Sequence, residues 1–71
     1  MKELYKYLNR RVKVTLDNKQ YFVGKVVGYV PAEDNEPEVE EIDILNEKDN
    51  RNYSLFENEI LKIEILENGE K

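Results

Sequence analysis

The run Gln20–Val30 limits what this chain can fold into more than any other stretch. Phe22, Gly24, Val26, Gly28 and Val30 share one parity; Tyr21, Val23, Lys25, Val27 and Tyr29 share the other. Side chains alternate across a strand, and here both faces are largely apolar. A sheet with one wet face would not tolerate this. The second face therefore needs cover late in the strand, from a curled sheet or from another chain. Glycine weakens a strand, but it eases crowding where a strand bends sharply. Gly24 and Gly28 are expected to be bend points that let one long strand serve both halves of a curled sheet.

The flanking segments fit a sheet of short strands. In Arg11–Asp17, Val12, Val14 and Leu16 face one way and Arg11, Lys13 and Thr15 the other. Asp17-Asn18-Lys19 reads as a tight turn, with Asn tolerant of positive φ. Pro31 and Pro37 bracket an acidic loop, since neither suits a central strand. Val39–Leu45 alternates, with Ile42 and Ile44 inward. Asn46–Asn50 is a polar turn and Asn52–Phe56 a short aromatic strand. Glu57–Glu59 breaks the pattern as a single helical turn. Ile60–Leu66 is the last strand, with Leu61, Ile63 and Ile65 opposite Lys62 and Glu64. Before all of these, Lys2–Asn9 reads as a short helix with Leu4 and Leu8 on one face and Asn9 as its stop.

No βαβ spacing is present, so the sheet should be antiparallel. Five short strands in a chain of 71 residues bury a core most easily by curling up. The expected fold is all-β: a strongly bent five-stranded antiparallel small barrel with a short N-terminal helix. One domain is expected over residues 1–66, with a polar tail at 67–71.

So small a chain buries only roughly 60% of its unfolded surface, and such domains usually lean on a staple or a partner. The sequence has no cysteine and no histidine. Disulfides, thiolate metal sites and imidazole chemistry are therefore excluded, which leaves association with further copies, or unusually economical packing, as the expected support. No apolar run reaches membrane-spanning length and the first residues do not open a signal peptide. The expectation is a cytoplasmic protein with no membrane partner.

The chain's −5 net charge is unevenly spread. Residues 1–30 carry seven Lys/Arg against Glu3 and Asp17, a balance of +5; residues 31–71 carry four against fourteen acids, a balance of −10. Two differently solvated faces explain this, or a basic end that meets the acidic surface of a neighbouring subunit.

"LNRRVKVTLDNKQYFVGKVVGYV" resembles the first motif of the Sm-like family. Val12, Val14, Leu16, Phe22, Gly24, Val26, Gly28 and Tyr29 fall at the expected positions. "NEILKIEIL" resembles the end of the second motif, with Ile60, Ile63 and Ile65 as its strand. The resemblance spans residues 2–66. It implies a bent five-stranded barrel under an N-terminal helix. It also implies ring assembly by pairing of fourth- and fifth-strand edges between subunits, with Tyr53, Leu55, Phe56, Ile60, Leu61 and Ile63 as interface residues. The family's RNA pocket does not carry over. Val30-Pro31-Ala32-Glu33 stands where an Asp and then an Asn are expected, with Asn35 the nearest candidate. Glu57-Asn58-Glu59 stands where an Arg-Gly pair is expected.

Nucleic-acid binding has one other basis, the cluster Arg10, Arg11 and Lys13, with Tyr5, Tyr7, Tyr21 and Tyr29 as stacking faces. Seven acids within residues 33–43 oppose it. The loop acids Glu33, Asp34, Glu36, Glu38, Glu40 and Glu41 are hard oxygen donors for a divalent cation, but they lack the spacing and glycine of a calcium-binding loop. No nucleophile elbow, phosphate loop or metal-ligand cluster is present, so neither enzymatic activity, a cofactor nor a bound metal is expected. A binding and assembly module, partnered by its own copies or another protein, is the leading expectation. Single-stranded RNA binding and a cation-responsive loop are the alternatives.

Overall fold

The alternation of Val12, Val14 and Leu16 places all three side chains in the core and makes Arg11–Leu16 a strand, β1. β2 follows at Tyr21–Val30, β3 at Glu41–Asn46, β4 at Arg51–Phe56 and β5 at Ile60–Ile65. The computed structural model describes residues 3–66; the expected tail at 67–71 lies outside them. All four pairings are antiparallel. The strand order is β4-β3-β2-β1-β5. The hydrogen-bonded sheet does not close into a barrel: β4 and β5 are its edges. One face collects Leu4, Val12, Val14, Leu16, Val26, Ile42, Ile44, Leu55 and Ile60 into a single core.

The expected N-terminal helix is a single 3-10 turn, Leu4–Tyr7. Two α-turns are marginal without tertiary support, and here Leu4 alone of the turn is fully buried. It ends at Tyr7 with Leu8 as its cap, before the expected stop at Asn9, which has φ 67° and whose N–H donates to Val26 O at 2.8 Å. In the β1–β2 turn the positive φ falls on Lys19 rather than on Asn18. Asn18 serves through its side chain, accepting from Gln20 N–H at 2.9 Å. Ala32–Asp34 and Glu57–Glu59 are further 3-10 turns.

A bulge answers the puzzle of the two-faced strand. Val26 pairs with Ile44, but Gly28 pairs with Asp43, so Val27 is an extra residue. Such an insertion shifts the alternation by one. Val26 and Tyr29 therefore both pack on the core, although their parities differ. β5 carries a second irregularity: Thr15 faces Lys62 while Leu16 faces Ile60, which leaves Leu61 over. Ile60, not Leu61, is the buried residue there.

Candidate functional site

The sheet's two edges meet at one corner. Glu57–Glu59 joins β4 directly to β5, pinned by Asp17 N–H donating to Glu59 O at 2.9 Å and Phe56 N–H to the Glu59 carboxylate at 3.2 Å. Of the residues expected at an interface, Leu55 and Ile60 are core, 3% and 4% exposed. Tyr53 packs its ring on Phe22, with centroids 4.7 Å apart. Phe56 and Ile63 are half-buried. Leu61 is 67% exposed, and Ile65, which is not among the expected interface residues, is 46% exposed. The β5 edge thus presents apolar side chains to solvent beside unpaired backbone groups. That combination is a pairing template.

Arg11 and Lys13 lie on the outer face of β1, while Arg10 precedes the strand and is tied by its backbone to Tyr7 and Val26. Arg11 grips Glu47 with Nε at 2.5 Å and a second guanidinium nitrogen at 3.0 Å. That hydrogen bond, reinforced by charge, raises the Arg11 pKa and lowers that of Glu47. Lys13 stands over the Tyr21 ring at 4.8 Å and opposite Glu64. Lys25 lies opposite Arg11. The face is therefore of mixed sign, with Glu47 and Glu64 set among its cations. Sequence reasoning located the cations but not the acids folded in among them, which come from strands and turns far along the chain.

A cleft of about 740 Å³ opens at the turn end of the sheet, between Lys19–Val23 on one side and Asn46–Lys48 with Tyr53 on the other. Tyr53 Oη donates a short hydrogen bond to Asp49. This bond lowers the Asp49 pKa and, together with burial, raises that of Tyr53.

Glu40 is the feature that the sequence concealed. It belongs to the acidic loop, yet it is 3% exposed. Its Oε1 accepts from Leu4 N–H at 2.8 Å and its Oε2 from Tyr29 Oη at 3.2 Å. Its own backbone joins the far corner, since Glu57 N–H donates to Glu40 O at 2.8 Å. Burial first, and then the Glu40 hydrogen bond and charge, raise the Tyr29 pKa. Glu40 is thus a structural tie, not a loop donor for a cation. Among the described residues no group of three or more His, Cys, Asp or Glu is placed to hold a metal ion, and no helix is long and apolar enough to cross a membrane.

These shifts set a pH profile. Tyr29 and Tyr53 bind their protons more tightly in the fold, so the stability they contribute is complete below about pH 10 and is lost as pH rises through their raised range. Asp49 and Glu47 are lowered, so theirs is complete above about pH 4 and is lost as pH falls further. Melting temperature should therefore fall at both extremes. Tyr53→Phe should flatten both limbs, because it removes one raised phenol and releases Asp49. Superimposable melting profiles for the two proteins would refute the assignment.

Comparison with protein families, with curated proteins and with solved structures finds no match to this chain.

Proposed function

We propose that this chain is a non-enzymatic assembly and binding module of the Sm-like type, which associates through its sheet edges with its own copies and with protein. The observation that carries this reading is the strand order, which leaves β4 and β5 as the two edges. These are the strands whose edges pair between subunits in the family that the sequence resembles. On this reading the sheet is a small barrel left open between β4 and β5. Leu55 and Ile60, one from each edge strand, share the same core, which supports such a curl. Exposed Leu61 and Ile65 give association an apolar component, each worth about 1 kcal/mol or more when covered. Light scattering across micromolar concentrations tests the reading. A mass above that of the 8.5 kDa chain, rising with concentration, is expected; a monomer throughout would sink it.

A second reading, single-stranded nucleic-acid binding, draws on the turn-end cleft, where Lys19 and Lys48 flank Tyr21, Phe22 and Tyr53. Aromatic faces with nearby cations suit unstacked bases. The interleaved acids make it the weaker reading. Titration of fluorescent oligo(U) and oligo(A) at low and moderate salt decides it, since phosphate-driven binding must weaken as salt rises.

A further inference from the structure

We propose that β5 is a self-complementary edge: two copies of this chain pair their β5 strands antiparallel about a two-fold axis at Ile63. The proposal rests on the self-assembly reading above and names the edge, the partner and the register.

Backbone geometry decides which residues can pair. Leu66 N–H donates to Arg11 O at 2.9 Å, so the even-numbered residues of β5 turn their amides toward β1. Along an antiparallel strand that direction alternates. Ile63 and Ile65 therefore turn N–H and C=O away from β1, to the free edge, while the bulge at Leu61 interrupts the alternation beyond Lys62. A second β5 must oppose these odd-numbered residues with its own.

Charge then selects the register. With Ile63 opposite its own copy, Lys62 faces Glu64 in both directions, and Ile65 comes to lie beside the bulged residue Leu61. A slip of two residues one way sets Lys62 against Lys62; a slip the other way sets Glu64 against Glu64. Directly opposed like charges destabilise a strand pair, and opposite charges stabilise it. Of these, only the Ile63-centred register opposes unlike charges, and it brings the exposed Ile65 against the partner strand. The charges are already arranged for it. Lys62 Nζ lies 3.5 Å from Glu64 of the same strand, and Glu64 stands across from Lys13 of β1. In the dimer a partner's lysine would complete a row of alternating sign.

β4 offers no comparable match, because Arg51 is its one charged residue. Edge charges usually discourage pairing; here the order Lys-x-Glu discourages every partner except the same order reversed. Such an interface is isologous and closes at two copies, leaving β4 free for a different partner.

Two experiments test this, both on the full chain. Sedimentation measures the dimer dissociation constant for the wild type, Lys62→Glu and the double variant Lys62→Glu/Glu64→Lys. Both side chains are exposed, and circular dichroism verifies folding. The single variant opposes Glu to Glu twice and should weaken the dimer about tenfold or more. The double variant restores unlike pairs and should recover most of the affinity. The chain has no cysteine, so a single introduced thiol reports contact without ambiguity. Ile63→Cys should oxidise to a covalent dimer, because facing residues lie about 5.5 Å apart at Cα. Leu61→Cys, two residues from the axis and not opposite its own copy, should not. Recovery failing in a folded double variant, or equal cross-linking by both cysteines, overturns the proposal. An assembly larger than two copies that Lys62→Glu leaves intact overturns it while sparing the self-assembly reading. A wild-type monomer at every concentration overturns both.

Discussion

Gly24→Ala should abolish cooperative unfolding of this protein. A Cβ at that position would lie 1.8 Å from Leu45 O, 2.8 Å from Leu45 C and 3.3 Å from Asn46 Cα. Every one of these atoms is backbone, so no side chain can swing aside. The only relief is to spread β2 from β3. Those strands are neighbours inside the sheet, and Gly24 is itself paired with both Asn46 and Val12. Overpacking at well-ordered sites usually costs about 1–3 kcal/mol where side chains can shift, and this site has none to shift. A domain of this size holds only about 5 kcal/mol of stability in total, so the loss consumes most of it.

Gly28 supplies the control. A Cβ there meets Asp43 Oδ2 at 2.9 Å, the tip of a side chain whose other oxygen accepts from Ser54 Oγ at 2.8 Å. That carboxylate can rotate, so Gly28→Ala should cost about 1 kcal/mol and still melt cooperatively. Thermal and urea melts followed by circular dichroism distinguish the two. A Gly24→Ala protein that melts within a few degrees of wild type would remove this account. The glycines were expected to serve as bends. For Gly24 the physical reason is the close passage of a neighbouring backbone.

How much of this was legible in the sequence depends on the range of the cause. The inward set Val12, Val14, Leu16, Ile42 and Ile44 follows from period-two alternation, and all five are buried. The polar turns follow from local chemistry. The bulges do not, because they depend on which residues the partner strand offers. Val27 is one residue more than β3 can match, so Tyr29 lies on the core instead of on the face its parity implied. Leu61 similarly lost its inward place to Ile60. The N-terminal segment has helical spacing at Leu4 and Leu8, yet it makes only a 3-10 turn, since its single deep contact is Leu4. For the proposed interface, composition raised only the expectation of a partner, whereas the exposed residues Leu61 and Ile65 appeared only once the β5 register was known.

Glu40→Ala should cost about 3 kcal/mol and release the N-terminal turn. In the sequence, Glu40 is indistinguishable from Glu38 and Glu41, because its partners are remote: Leu4 lies 36 residues away and Tyr29 lies 11 away. Removing the carboxylate leaves a buried amide and a part-buried phenol without their acceptor. An unsatisfied buried polar group costs about 1–3 kcal/mol, and two are created at once. Leu4, fully buried, loses the bond that holds its backbone against the core, so part of the apolar burial goes with it. Glu40→Gln should be milder, near about 1 kcal/mol. Its carbonyl can still accept from Leu4, and its amide can donate to the Tyr29 oxygen. Tyr29→Phe removes one donor only. If Glu40 works as a tie between these two groups, Tyr29→Phe should cost less in the Glu40→Ala background than in wild type, a coupling of about 0.5 kcal/mol or more. Hydrogen exchange at the Leu4 amide separates local release from global loss: it should accelerate in Glu40→Ala more than exchange in β1 does. Equal acceleration at both places would mean that the carboxylate supports the whole sheet rather than the N-terminal turn. A melting temperature unchanged by Glu40→Ala would mean that it supports neither.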